Sequence, residues 1–185
     1  MVKARLQQAF FMFLASFLGL GLFVALDAYV KLGAGLPLLI GSFGATSAIL
    51  YAMPDRDISQ FKNVVGGHFL SAIVGVFCGE FIAPIDYELA MVAAVSLSIF
   101  VMALTYTMHP PGAAAGLLAV MMPEVPALVY VFVTAGLGVV VFYYISFFLR
   151  KILKYPTYGS VVYMSKDNLI KEEAIKEKPL NSLAE

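Results

Sequence analysis

Long apolar runs separated by short polar links dominate the chain, and they set its class before any motif is considered. A helix needs about 20 apolar residues to cross a hydrocarbon layer about 30 Å thick. Residues 6–26 supply one such run. Residues 32–53 carry no charge and supply a second, interrupted by Gly35, Pro37, Gly41 and Gly44. Residues 64–83 form a third, holding His68 and Glu80, and the uncharged residues 89–108 a fourth. From Leu89 to Leu149 the only formal charge is Glu124, which leaves room for two further segments. These are the short apolar stretch 110–123 and the longer run 125–149. The pattern predicts an all-α integral membrane protein with about six transmembrane segments.

Lys and Arg near the segment ends predict the orientation. Lys3 and Arg5 precede the first run, Arg56 and Lys62 lie between the second and third, and Arg150, Lys151 and Lys154 follow the last. Counting 110–123 as a crossing places all of these on one side, the cytoplasmic one, with both termini there. Lys31 is then the one positive residue outside, and Asp27, Glu80, Asp86, Glu88 and Glu124 fall at or near the outer side. Five full spans, or a re-entrant hairpin at 110–123, would put the basic cluster after Leu149 outside, which the charge rule disfavours. A transmembrane domain over 1–152 and a polar cytoplasmic tail over 153–185 follow, in a multi-pass protein of the cell membrane. Within the tail, Ser165 is placed to cap a short helix that Pro179 would end. The basic start and first run resemble a secretory leader, but the run is too long and lacks a small-residue cleavage site, so a retained helix is expected.

An internal echo links the two halves. FGATSAILYAMP over residues 43–54 compares with PGAAAGLLAVMMP over 111–123. Each begins with Gly-Ala and small residues and closes on Met-Pro, and each is the second segment of a three-segment unit. The units are 6–83 and 89–150. An odd number of spans per unit inverts the second unit, the plan of many transporters and channels, where paired interrupted segments mark the binding site. Small residues there also permit close helix packing, a purely structural reading that can coexist with the first.

A helix that starts inside the membrane presents free N–H groups and the positive end of its dipole, which attract anions without a buried Lys or Arg. The first copy offers Gly41, Ser42, Phe43, Gly44, Ala45, Thr46 and Ser47. The second offers His109, Pro110, Pro111, Gly112 and Ala113, with proline suited to a first helical turn. His109 stands near the N-cap, where it can donate to an anion or carry a proton. Asn63 and His68 are expected as gating or structural polar groups, His68 more as a partner in an interhelical hydrogen bond. Asp27 and Lys31, four apart, suit an interfacial pair.

Composition narrows the rest. Hydrophobic residues make up 61% of the chain and charged ones 13%, against about 25% charged in soluble domains. The formal net charge is zero and no basic stripe faces nucleic acid. Cys78 is the one cysteine, which excludes an intrachain disulfide. Two His and one Cys without ligand spacing predict no metal, and nothing calls for a cofactor. Acidic residues keep to the segment ends, so a small, weakly basic anion suits the interior better than a cation.

HPPGA at 109–113, preceded by GSFGA at 41–45 and NVVGGH at 63–68, resembles the motif set of the HPP family of integral membrane proteins. The likeness covers roughly residues 10–150. It implies a small multi-span membrane protein, and some plant and cyanobacterial relatives are assigned to nitrite transport. SQFK at 59–62 stands where relatives more often have a Gln-Pro-Arg-like run, and the alanines after Gly112 replace further Gly and Thr. The expectation is a nitrite-like anion transporter or channel, thin enough to suit a homodimer, embedded in the bilayer and not an enzyme. The rivals are a non-transporting accessory subunit and an intramembrane enzyme using His109.

Overall fold

The computed structural model describes residues 2–34 and 41–153. The expected tail helix, Gly35, Pro37 and the Lys31 side chain with its pairing to Asp27 lie outside the described residues. Six α-helices appear: α1 (Val2–Ala34), α2 (Ser42–Ala52), α3 (Phe61–Phe81), α4 (Tyr87–Leu104), α5 (Pro110–Met121) and α6 (Val139–Ile152). A ten-residue π-helix, Val129–Gly138, leads into α6 without a break. Among the described residues four stretches are long and apolar enough to cross a membrane: Leu6–Val30, Phe61–Phe81, Tyr87–Leu104 and Val129–Ile152. The protein is therefore a multi-pass α-helical membrane protein.

The structure moves several boundaries expected from the sequence. The second segment does not run over 32–53: α1 continues to Ala34, and α2 begins only at Ser42 and has 11 residues. At 1.5 Å per residue that is about 16 Å, half a crossing. The fourth segment stops at Leu104 rather than 108, because Thr105 closes it and Tyr106 turns the chain with φ of 54°, in the left-handed region. Residues 110–123 become the 12-residue α5, also too short to cross alone. The last crossing is wound as a π-helix over its first ten residues, which apolar periodicity does not reveal. Asp27 lies inside α1 and is buried.

Local chemistry explains the ends. Asp86 caps α4 by accepting from the Leu89 amide at 2.9 Å, with Glu88 adding charge to the first turn. Ser59 closes the link between α2 and α3 by donating to the Met53 and Ile49 carbonyls at the α2 end. Arg150 and Lys151 occupy the last turn of α6, where cations favour the dipole.

In the packed bundle α3 is central, lying against α4, α5, α6 and the π-helix, while α1 packs on α2 and α6. Two glycine pairs let α5 approach α3. A Cβ on Gly112 would stand 2.7 Å from the Gly67 carbonyl oxygen, and one on Gly116 would stand 2.9 Å from that of Ser71 and 2.5 Å from the Ser98 hydroxyl. Such crossings suit a membrane, where close packing replaces the hydrophobic effect as the force joining helices. Tyr130 of the π-helix donates to the Ala115 carbonyl at 2.6 Å and pins α5 from the other side. Gly116→Ala should therefore cost about 2 kcal/mol, within the range for overpacking. Gly21→Ala, whose added methyl meets nothing within 4 Å, should be neutral or stabilise by up to about 1 kcal/mol. Thermal unfolding of the two variants in detergent checks the contrast.

Candidate functional site

Three helices deliver polar groups to one buried spot. From α2 come Ser42 and Thr46, four apart and so on one face; from α3 comes His68, and from the N-cap of α5 comes His109. Thr46, His68 and His109 are 0% exposed and Ser42 is 2% exposed, so the cluster is sealed from bulk water. His68 lies seven residues after Phe61, about 10 Å up α3, so the cluster sits roughly a third of the way along that helix rather than at its middle.

Each imidazole is fixed from behind. His109 Nδ1 donates to the Ile58 carbonyl at 2.6 Å, and His68 Nδ1 donates to the Val64 carbonyl at 2.9 Å. A carbonyl only accepts, so both rings carry the proton on Nδ1 and, when neutral, present the Nε2 lone pair to the cluster. Thr46 Oγ1 stands 3.2 Å from His109 Nε2 and 3.4 Å from His68 Nε2, and Ser42 Oγ stands 3.2 Å from His68 Nε2. Thr46 also reaches the Ser42 carbonyl at 3.0 Å. One hydroxyl proton thus has three acceptors within reach. Ser42 donating to His68 and Thr46 donating to His109 satisfies both rings. The two rings are 5.1 Å apart between centroids.

The supports of this arrangement come partly from the NVVGGH stretch and partly from Ile58, Thr107 and Met108, which the sequence does not flag. The Ile58 and Val64 carbonyls set the tautomers. Asn63 Nδ2 donates to the Met108 carbonyl at 3.0 Å and holds the strand-like approach to His109. Thr107, hydrogen-bonded to Thr105 at 2.8 Å, braces the turn after α4. Gly66 and Gly67 leave room for Thr107 and His109 against α3. Asn63 and His68, expected from the sequence as polar groups, stand at this tether and in the interhelical cluster; Thr107 and the carbonyls carry no motif.

Not every expected residue faces the cluster. Gly41, Gly44 and Ala45 lie on the exposed side of α2, and a Cβ on Gly44 would meet nothing within 4 Å. Phe43 is buried, stacked on Phe142 and edge-on to the His68 ring at 5.8 Å, so it forms an apolar wall. Ser47 is buried without a hydrogen-bond partner. Pro111, Gly112 and Ala113 are buried in the helix contact with α3, with Pro110 exposed. Free amides at the start of α5 are largely missing: Pro110 and Pro111 have none, and the Gly112 amide donates to the His109 carbonyl at 2.8 Å. The α5 start therefore offers dipole and imidazole, not a nest of N–H donors. Among the described residues no group of three or more His, Cys, Asp or Glu is placed to hold a metal.

A hollow opens near each end of α5. One of about 430 Å³ is lined by Met53, Arg56, Asp57 and Ile58, the last being the residue that anchors His109. Another of about 270 Å³ lies where α3 ends, among Gly79, Glu80, Pro84, Tyr87, Met122 and Pro123.

A sealed polar cluster between two half-length helices, inside a bundle of apolar spans, defines a small multi-pass helical membrane protein with a polar interior. Residues 1–158 match the HPP transmembrane region, and the chain belongs to the HPP family. It is similar to two Dictyostelium discoideum transmembrane proteins: 39% identical over 110 residues, which is 58% of this chain and 39% of the relative, and 34% identical over 125 residues, 66% of this chain and 40% of the relative. The chain thus spans about two fifths of the length of these relatives. No solved structure matches it.

Thr46→Val removes the donor to His109 and leaves a buried acceptor unmet, a loss of about 1–3 kcal/mol. Ser47→Ala, which removes a hydroxyl without partner, should cost less than about 0.5 kcal/mol. Melting of both variants in detergent compares them, and nitrogen NMR of labelled histidine should show Nδ1-protonated rings at both positions.

Proposed function

We propose that the protein moves a small, weakly basic inorganic anion such as nitrite across the cell membrane, with the His68–Thr46–His109 bridge as its central station. The reading rests on one observation: two half-length helices, packed against each other, enclose a buried pair of imidazoles whose shared hydroxyl has a choice of acceptors. Protonation of either ring at Nε2 would turn a lone pair into a donor aimed at the cluster. No Asp or Glu lies in α2, in α5 or in α3 before Glu80 to balance that charge, so an anion is the natural counterion in a medium where an unpaired charge is costly. The dipole ends of α2 and α5 add the same sign of attraction.

The helix contacts agree with an inverted duplication. Exchanging α1–α3 for α4–α6 turns the contact of α1 with α2 into that of α4 with α5, and that of α1 with α6 into that of α4 with α3. Both termini are then cytoplasmic, as the distribution of Lys and Arg predicts. The hollow beside Ile58 is the approach from that side, lined by one cation and one acid, Arg56 and Asp57.

A hydroxyl beside an imidazole is also the geometry of an activated nucleophile. That enzymatic reading is weaker here, because two imidazoles share Thr46 and the α5 start lacks free amides to hold an oxyanion.

Reconstituted vesicles carry the test, with flux of nitrite, nitrate and chloride measured for wild type, His109→Gln and His68→Gln. Nitrite flux should be fastest, rise with an imposed proton gradient directed along it, and fall about tenfold or more in either variant, equivalent to about 1.4 kcal/mol of barrier. Equally negligible flux of all three anions through folded wild-type protein would sink the proposal.

A further inference from the structure

The hollow of about 270 Å³ where α3 ends is rich in hydrogen-bond acceptors, and among its lining side chains only the Tyr87 hydroxyl can donate. Its prolines explain part of this. Pro84 and Pro123 both line it, and they stand four residues after Glu80 and Ala119, which line it too. Each occupies the place from which an amide would reach back to a carbonyl in the last helical turn, and proline has no N–H to give. The Gly79 carbonyl is passed over as well, because the Ala83 amide donates to the Cys78 carbonyl at 3.0 Å instead. These acceptors are close together: a Cβ on Gly79 would stand 3.9 Å from the Ala119 carbonyl oxygen.

Glu80 adds a negative charge where the backbone already carries one. It sits in the last turn of α3, and α5 ends at the same hollow, so two helix dipoles present their negative ends there. Neither last turn holds a basic residue, no Lys or Arg lines the hollow, and Glu80 forms no ion pair among the described residues. A carboxylate at a helix C-terminus opposes the dipole, so this arrangement is unfavourable until a cation meets it. The Tyr87 ring belongs to the same wall, and Val76, Met122 and Val125 make the rest of it apolar.

A bare metal ion is a poor occupant, since a single acid lines the hollow and no group of three or more ligand residues stands together among the described residues. A primary ammonium answers each feature. It has N–H donors and no acceptor, its charge suits a carboxylate and the face of a tyrosine ring, and its carbon stem suits an apolar wall. We infer that this hollow is a binding site for a primary alkylammonium, with Glu80 as its counterion and the Glu80 and Ala119 carbonyls as further acceptors. Phe81 and Ile85 beside it are exposed apolar side chains, which place the rim against lipid. An ethanolamine headgroup would enter from the bilayer and a free amine from water, and both bring the same ammonium. This site is separate from the His pair and does not depend on the transport reading.

The full chain in phosphatidylcholine nanodiscs provides the test. Its thermal midpoint is measured alone, with phosphatidylethanolamine added to the disc, and with ethanolamine hydrochloride in the buffer against sodium chloride of equal ionic strength. An amine that binds the folded state raises the midpoint. A rise with phosphatidylethanolamine assigns the site to a lipid headgroup, and a rise with ethanolamine assigns it to a free amine. In either case Glu80→Gln and Tyr87→Leu should each at least halve the shift. Glu88→Gln, which changes an acid outside the hollow, should leave it intact. Without amine, Glu80→Gln should melt no lower than wild type, because it removes a charge that the helix end repels. No shift from either amine, a full shift surviving in Glu80→Gln or Tyr87→Leu, or an equal loss in Glu88→Gln overturns the inference.

Discussion

A hydrocarbon layer supplies no water, so every polar group placed inside it must find its partner within the protein. The Thr46 hydroxyl is where that constraint is met most tightly. It stands between two imidazoles that belong to different helices, and each imidazole is held from behind by a carbonyl, that of Ile58 in the α2–α3 link for His109 and that of Val64 one turn back on α3 for His68. Ile58, Val64 and Met108 are therefore as much a part of the site as the side chains. The turn at Tyr106, the Asn63 tether and the Ser59 closure of the α2–α3 link all serve to bring those carbonyls to fixed places.

Short helices follow from the same constraint. A helix that ends in mid-membrane exposes backbone donors or acceptors, and each end here is treated differently. At α5 two prolines delete the donors and Gly112 turns its own back to His109. At the far end of α2, Ser59 covers the free carbonyls. The hydrogen-bonded His cluster lies where α2 and α5 approach each other, other buried polar side chains such as Ser71, Ser98 and Ser146 are spread through the interior, and the bundle can be apolar outside. Its outward face shows this, with Phe13, Phe17, Phe100 and Phe148 exposed to the surroundings.

Much of this was readable in the chain. Five long apolar runs and one short one gave the helical membrane class, and the HPPGA, GSFGA and NVVGGH motifs pointed to the family and to Ser42, His68 and His109, with Thr46 in the small-residue stretch after the first. Boundaries were less legible, because an uncharged apolar run, even one holding Gly35, Pro37, Gly41 and Gly44, does not by itself show where one helix ends and the next begins. That is why 32–53 read as one segment and α2 begins at Ser42. The π-helix was invisible for a related reason: nothing in the apolar pattern of 129–138 sets it apart from an α-helix of the same composition. Glycines were the least legible of all. Gly44 and Gly112 occupy matching places in the two Gly-Ala echoes, yet one faces open space and the other lies against the α3 backbone.

That last asymmetry bears on motion. With Gly67 facing Gly112, and Gly75 facing Gly116, α5 and α3 are seated backbone to backbone, and Tyr130 bolts α5 from behind. Sliding one past the other would force atoms through space that holds no slack. No such glycine pair seats α2 against α3, and Gly44, Ala45 and Ala48 of α2 look outward. The bundle thus divides into an anvil, built of α3, α4 and α5 and carrying both imidazoles, and a lighter hammer that carries the hydroxyls. If the pair of rings is ever to meet a solute, it is the hydroxyl-bearing piece that withdraws.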